Sequence, residues 1–134
     1  MAGLSLNQLV TWAREGNWVE VDKVVPVLSK NPMVVQRAIA LIEDKNEENL
    51  RDLGASIIEK ANISQWAFRS IRPKLANLMN THPDGYDGFR AACALVVHDP
   101  QEYKPQVINV LKHFSKDTED SVRVIAQSYL TRLA

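Results

Sequence analysis

A chain of 134 residues that is 46% apolar, 24% charged and 7% aromatic has the make-up of one globular domain, which excludes a disordered or collagen-like chain. At this size folding hides roughly two thirds of the surface that the unfolded chain exposes, so neither disulfides nor a structural metal is required, and the single Cys93 agrees. Sixteen basic residues balance sixteen acidic ones, which speaks against a dedicated nucleic-acid binder, because neutralising phosphates needs a basic excess.

The opening Met1-Ala2-Gly3-Leu4-Ser5 lacks the basic and apolar stretches of a signal peptide, and no window approaches roughly 18 consecutive apolar residues. A cytoplasmic location without a membrane span is therefore expected. Apolar spacing is helical almost throughout, and no strict alternation persists long enough for a strand.

Eight helices are predicted. Ser5 with Gln8 and Asn17 with Glu20 have capping-box spacing and start helices near Leu6 and Trp18, with Gly16 closing the first. Asn31 before Pro32 starts a third that runs to about Asp44 with Val34, Ala38, Leu41 and Ile42 inward. Asn46 starts a fourth, to about Ala61, burying Leu50, Leu53, Ile57 and Ile58; Gly54 inside it costs up to about 1 kcal/mol and points to a close neighbour. Ser64 caps a fifth reaching about Asn80, with its apolar stripe at residues 67, 68, 71, 75 and 78. The turn-rich stretch 81–88 ends it ahead of a sixth, almost wholly apolar helix from about Tyr86 to Val97. Asp99, Pro100 and Glu102 supply cap, first position and box for a seventh ending near Ser115, where losing the Asp99 cap would cost on the order of 1 kcal/mol. The eighth follows the acidic cluster Asp117–Asp120, whose charges favour the positive end of a helix dipole.

The even-numbered helices repeat. Glu48, Asp87 and Asp120 each stand three residues before an arginine, Arg51, Arg90 and Arg123, and three residues after each arginine sits a small residue, Gly54, Cys93 or Ala126. Apolar pairs follow at Ile57-Ile58, Val96-Val97 and Tyr129-Leu130. The preceding helices share Pro, Asn and three apolar positions from Pro73 and from Pro105, 32 residues apart, while Arg90 and Arg123 are 33 apart. A helix-turn-helix period of roughly 30 to 40 residues predicts an all-α solenoid of about four antiparallel hairpins in a single domain, 1–134.

From about Ser64 to Leu133 the sequence resembles the HEAT-like repeats of the armadillo-type superhelix. The resemblance rests on Ile71-Arg72-Pro73-Lys74-Leu75, Asp84 and Phe89-Arg90-Ala91-Ala92, then on Pro105, Asp117, Asp120 and Val122-Arg123. It implies a right-handed superhelix bent at Pro73 and Pro105. It also implies a structural ladder between repeats, in which Asp84 or Asp87 pairs with Arg90, and Asp117 or Asp120 with Arg123.

Catalytic constellations are hard to find. The chain carries no Gly-rich phosphate loop, no His-Glu-x-x-His, no cysteine pair and no nucleophile elbow, and His82, His98 and His113 lack the spacing of a metal pair, so no cofactor or metal is expected. Cys93, within the apolar run 91–97, is expected to fill space with a normal or raised pKa. Trp12 and Trp18 flank the Gly16 turn and are expected to seal the first hairpin.

Trp66, Arg69, Pro73, Asn77 and Asn80 fall opposite the apolar stripe of the fifth helix. With Arg72 from the basic cluster Arg69, Arg72 and Lys74, residues Trp66, Arg69 and Asn77 make a candidate binding surface. These features predict a non-enzymatic protein–protein interaction module, whose partner is a protein or peptide held in a groove lined by the second helices. Two alternatives stand beside it. One is a nucleic-acid-binding or DNA-repair relative; the other is a helper subunit of an enzyme, which would need a perturbed carboxylate or histidine in the groove, and the sequence offers no obvious pair.

Overall fold

Capping chemistry sets several of the helix boundaries. The computed structural model describes residues 5–134, in which eight α-helices and no strand occur. They are α1 (Leu6–Arg14), α2 (Trp18–Leu28), α3 (Pro32–Leu41), α4 (Glu48–Lys60), α5 (Gln65–Thr81), α6 (Tyr86–His98), α7 (Lys104–Phe114) and α8 (Asp120–Leu133). Residues 1–4, on which the signal-peptide reading partly rests, lie outside the described residues. No helix among those described is long and apolar enough to cross a membrane.

Ser5, Asn31 and Ser64 accept hydrogen bonds from the amides of Gln8, Met33 and Ala67, so α1, α3 and α5 begin with side-chain caps. At the end of α1 the amides of Gly16 and Asn17 donate to the carbonyls of Ala13 and Trp12, and Gly16 has φ +74°. This is a Schellman closure, which needs the left-handed backbone that glycine adopts freely.

The structure differs from the sequence reading in several details. Helix α3 ends at Leu41 and not near Asp44, α4 starts at Glu48 after Glu47 with no cap from Asn46, and α2 starts at Trp18 as expected but without a capping bond from Asn17. Asp99 does not start α7; its carboxylate binds Arg72 and accepts the amide of Gln101 within a turn, and the helix begins only at Lys104. Proline explains the delay. In a helix begun at Pro100, the ring of Pro105 would meet the carbonyl four residues back, whereas in the first turn that conflict vanishes. Pro105 therefore opens α7 instead of bending its interior, while Pro73 lies inside α5 and Pro26 inside α2.

The main packing contacts join α4 with α6, α5 with α6 and α3 with α4, then α7 with both α8 and α6, and α1 with both α2 and α4; smaller contacts link α2 with α4 and α6 with α8. The central pair, α4 and α6, is buried almost all round, and every residue from Ala91 to Val96 is hidden from solvent. Small residues let these helices approach closely. A Cβ built on Gly54 would lie 2.7 Å from the Ala38 carbonyl oxygen and 2.9 Å from Leu41 Cβ, which is the close neighbour that this glycine predicted, and it belongs to α3.

Polar links run between hairpins. Arg14 grips Glu47 at 2.8 Å, Arg51 Nε meets Asp87 Oδ2 at 2.8 Å, and the Tyr86 hydroxyl donates to Asp117 at 3.0 Å, which ties the first hairpin to the second, the second to the third and the third to the fourth. Arg51 also donates to the Asp44 carbonyl and Arg123 to the Asp117 carbonyl, each in the turn before its own helix. Asp87 thus pairs with the arginine one hairpin earlier and not with Arg90, and Arg123 meets Asp120 within α8.

Candidate functional site

Helix α4 carries Asp52, Ser56 and Glu59 at spacings of four and three residues, which puts all three on one face. On a helix buried almost all round, that face is largely screened from bulk water. It meets Arg90 from α6, while α2 brings Trp18 and Asp22, and α8 brings Val122, Ile125 and Tyr129. Here α4 and α6 form the floor of a groove, and α2 and α8 stand on either side.

Two recesses open into this groove, of about 300 Å³ and 270 Å³, and they share Asp22, Ser56 and Arg90. The larger has aromatic walls in Trp18, Tyr86 and Phe89. The smaller has apolar walls in Val25, Pro26 and Ile125, with Glu59 and Lys60 beside them.

Charge in the groove is out of balance. Asp52 is 8% exposed and Glu59 3%, and one guanidinium serves both, with Arg90 Nε 3.9 Å from Asp52 Oδ1 and Nη1 3.5 Å from Glu59 Oε1. Ser56 donates to Asp52 at 3.3 Å, and the Tyr129 hydroxyl donates to Glu59 Oε2. Glu59 Oε1 is buried and accepts no hydrogen bond. Burial pushes the Asp52 carboxyl up to about 7, against the opposing pull of Arg90 and the Ser56 bond and with help from Asp87 and Asp22. Burial likewise raises Asp22, raises the Tyr129 phenol further with the help of Glu59, and holds the Cys93 thiol well above its usual range.

A raised carboxyl pKa means that the folded state holds this proton more tightly than the unfolded chain does. The Asp52 contribution to stability is therefore complete at low pH and is lost as pH rises from about 4 to about 7, by at most about 1.4 kcal/mol per pH unit. Asp52→Asn removes that loss. Chemical denaturation across this range is expected to find the variant gaining on the parent as pH rises; a constant difference would contradict the shift.

The residues singled out on α5 do not assemble into one site. Trp66 is 78% exposed, and the Arg69 guanidinium lies over its ring, 5.3 Å from the centroid. Arg72 is instead bound to Asp99 and to Glu102, at 3.1 Å from the latter. Asn77, roughly 16 Å along the helix from Trp66 at 1.5 Å per residue, lines a separate recess of about 530 Å³ with Lys74 and Arg51. Asp87 and Asp120 belong to the inter-hairpin and α8 contacts described above, and Arg90 alone of the repeated arginines points into the groove. His98 donates to the Ile58 carbonyl at 2.7 Å, and exposed His113 lies 3.8 Å from Asp84.

Asp52, Glu59 and Tyr129 were not expected at a site. The signal for two of them is present in the sequence, since two acids and a serine on one face of an otherwise apolar helix must meet charge or solvent. No family model, curated protein or solved structure matches the chain. Among the described residues, no group of three or more His, Cys, Asp or Glu side chains is placed to hold a metal ion. What the groove can do chemically is bind a polar or charged group away from bulk water and exchange a proton near neutrality at Asp52.

Proposed function

We propose that this chain is a protein–protein interaction module built as a short HEAT-like stack, and that it holds a segment of a partner protein in the groove of α2, α4, α6 and α8. The observation that carries the reading is the pair of adjoining recesses on that face, with aromatic and apolar walls around polar groups. Concave surfaces of this make-up serve recognition. Capture of a turn carbonyl by both Arg51 and Arg123 supports the repeat reading, because two positions of one sequence pattern do the same work. The acidic excess in the groove favours a protein segment over nucleic acid, whose phosphates would meet Asp22, Asp52 and Glu59.

Asp52 keeps a second reading in view, that of a subunit assisting an enzyme, since a carboxyl that titrates near neutrality suits acid–base work. Both readings place the partner in the groove, and a blocking variant tests that placement. Ser121 is exposed at the mouth of the larger recess. Ser121→Trp is expected to weaken a partner purified from cells with the intact chain by about tenfold or more, with helix content unchanged. Full binding by Ser121→Trp together with loss on Trp66→Ala would move the interface to α5 and overturn the groove reading.

A further inference from the structure

We propose that the recess at Glu59 receives a cationic side chain, the ammonium of a lysine or the guanidinium of an arginine, from a basic segment of the partner protein. This rests on the groove reading above and adds the chemistry of the occupant. Four carboxylates line the two recesses, Asp22, Asp52, Glu59 and Glu119, against two cations, Arg90 and Lys60. Both cations lie within ion-pair distance of Glu59, but neither hydrogen-bonds it. Arg90 stands 3.5 Å from Oε1 without a hydrogen bond, and the half-exposed Lys60 stands 3.8 Å from Oε2.

A carboxylate oxygen that is buried and accepts nothing is an exception among folded proteins. Tyr129 fixes the other oxygen and thus the plane of the carboxylate, whose charge faces the recess with one incomplete ion pair to Arg90. The walls of the recess suit the same guest. Val25, Pro26 and Ile125 offer an apolar sleeve for a methylene stem, whose charged tip would then lie against Glu59. An anionic side chain would be repelled by Asp22 and Glu59, and an apolar one would leave their charge without a further partner.

The experiment uses the full chain, labelled with ¹⁵N, and three short peptides that differ at one central residue: arginine, lysine or norleucine. Titrations are run at about 150 mM salt, so that loose surface attraction is screened. The arginine and lysine peptides are expected to shift amides of α4, α6 and α8 around Glu59 and Arg90, with norleucine at least about tenfold weaker. Glu59→Gln is expected to reduce binding of the cationic peptides about tenfold or more, and Asp52→Asn less. Should Glu59→Gln fail to fold, the comparison of arginine with norleucine on the parent chain still decides. Equal binding of norleucine in the groove overturns the cationic guest and leaves the groove reading standing. Cationic peptides that move no groove amide overturn the cationic guest as well, whereas the groove reading then stands or falls on Ser121→Trp.

Discussion

Gly88→Ala is expected to be the most damaging single methyl that can be added to this chain. A Cβ at Gly88 would lie 1.9 Å from the carbonyl oxygen of His82 and 2.7 Å from its carbonyl carbon. Both atoms are backbone, so no rotamer change relieves the clash, and the start of α6 must move away from the end of α5. Overpacking costs about 1–3 kcal/mol in ordinary cores and more where backbone must shift. A fall in thermal midpoint of about 10 °C or more is expected for a domain of this size, read by circular dichroism. Gly16→Ala makes the contrast. Nothing lies within 4 Å of its added carbon, but φ is +74°, so only the left-handed backbone penalty of about 1–2 kcal/mol applies. If Gly88→Ala melts within a degree or two of the parent, the close approach of these two segments is not as described.

Arg51→Met is expected to have the second large effect. Asp87 is fully buried, and Arg51, itself largely covered, is its one charged partner. Taking the guanidinium away strands a carboxylate in the interior between the second and third hairpins, a change that costs about 3–5 kcal/mol where buried pairs are broken. The loss belongs to the pair, so Arg51→Met combined with Asp87→Asn should recover a large part of it. Denaturant unfolding of the two single variants and the double variant measures that coupling. Two small and additive losses would contradict the link between the hairpins.

Helix content and most boundaries were legible in the sequence because they depend on local chemistry. Ser5, Asn31 and Ser64 cap amides two or three residues away, and Gly16 closes α1, all within reach of one turn. The start of α7 is less legible, because Asp99 offers a favourable cap while Pro105, the stronger constraint, holds the first turn back to Lys104. Partners in space were less legible. The HEAT-like resemblance implies that Asp84 or Asp87 pairs with Arg90, yet Asp87 at that helix start faces the preceding hairpin, while Arg90, one turn further on, faces the groove. The groove itself draws on residues from Trp18 to Tyr129, and no local pattern joins positions so far apart. On α5, amphipathic spacing placed Trp66 and Arg69 on the exposed face, but it could not foretell that Arg72 turns to Asp99 and Glu102.

The groove that emerges holds acidic side chains away from water, and Asp52, raised chiefly by burial and further by Asp87 and Asp22, reports on that. Its side-chain carboxyl carbon can be followed by NMR through a pH titration, first alone and then with the arginine peptide at saturation. A midpoint near 7 that drops when the peptide is bound is the predicted outcome. A midpoint near 4 in the free protein, unmoved by the peptide, would mean that the carboxylates of this groove are solvated or fully paired, and the account of it would be wrong.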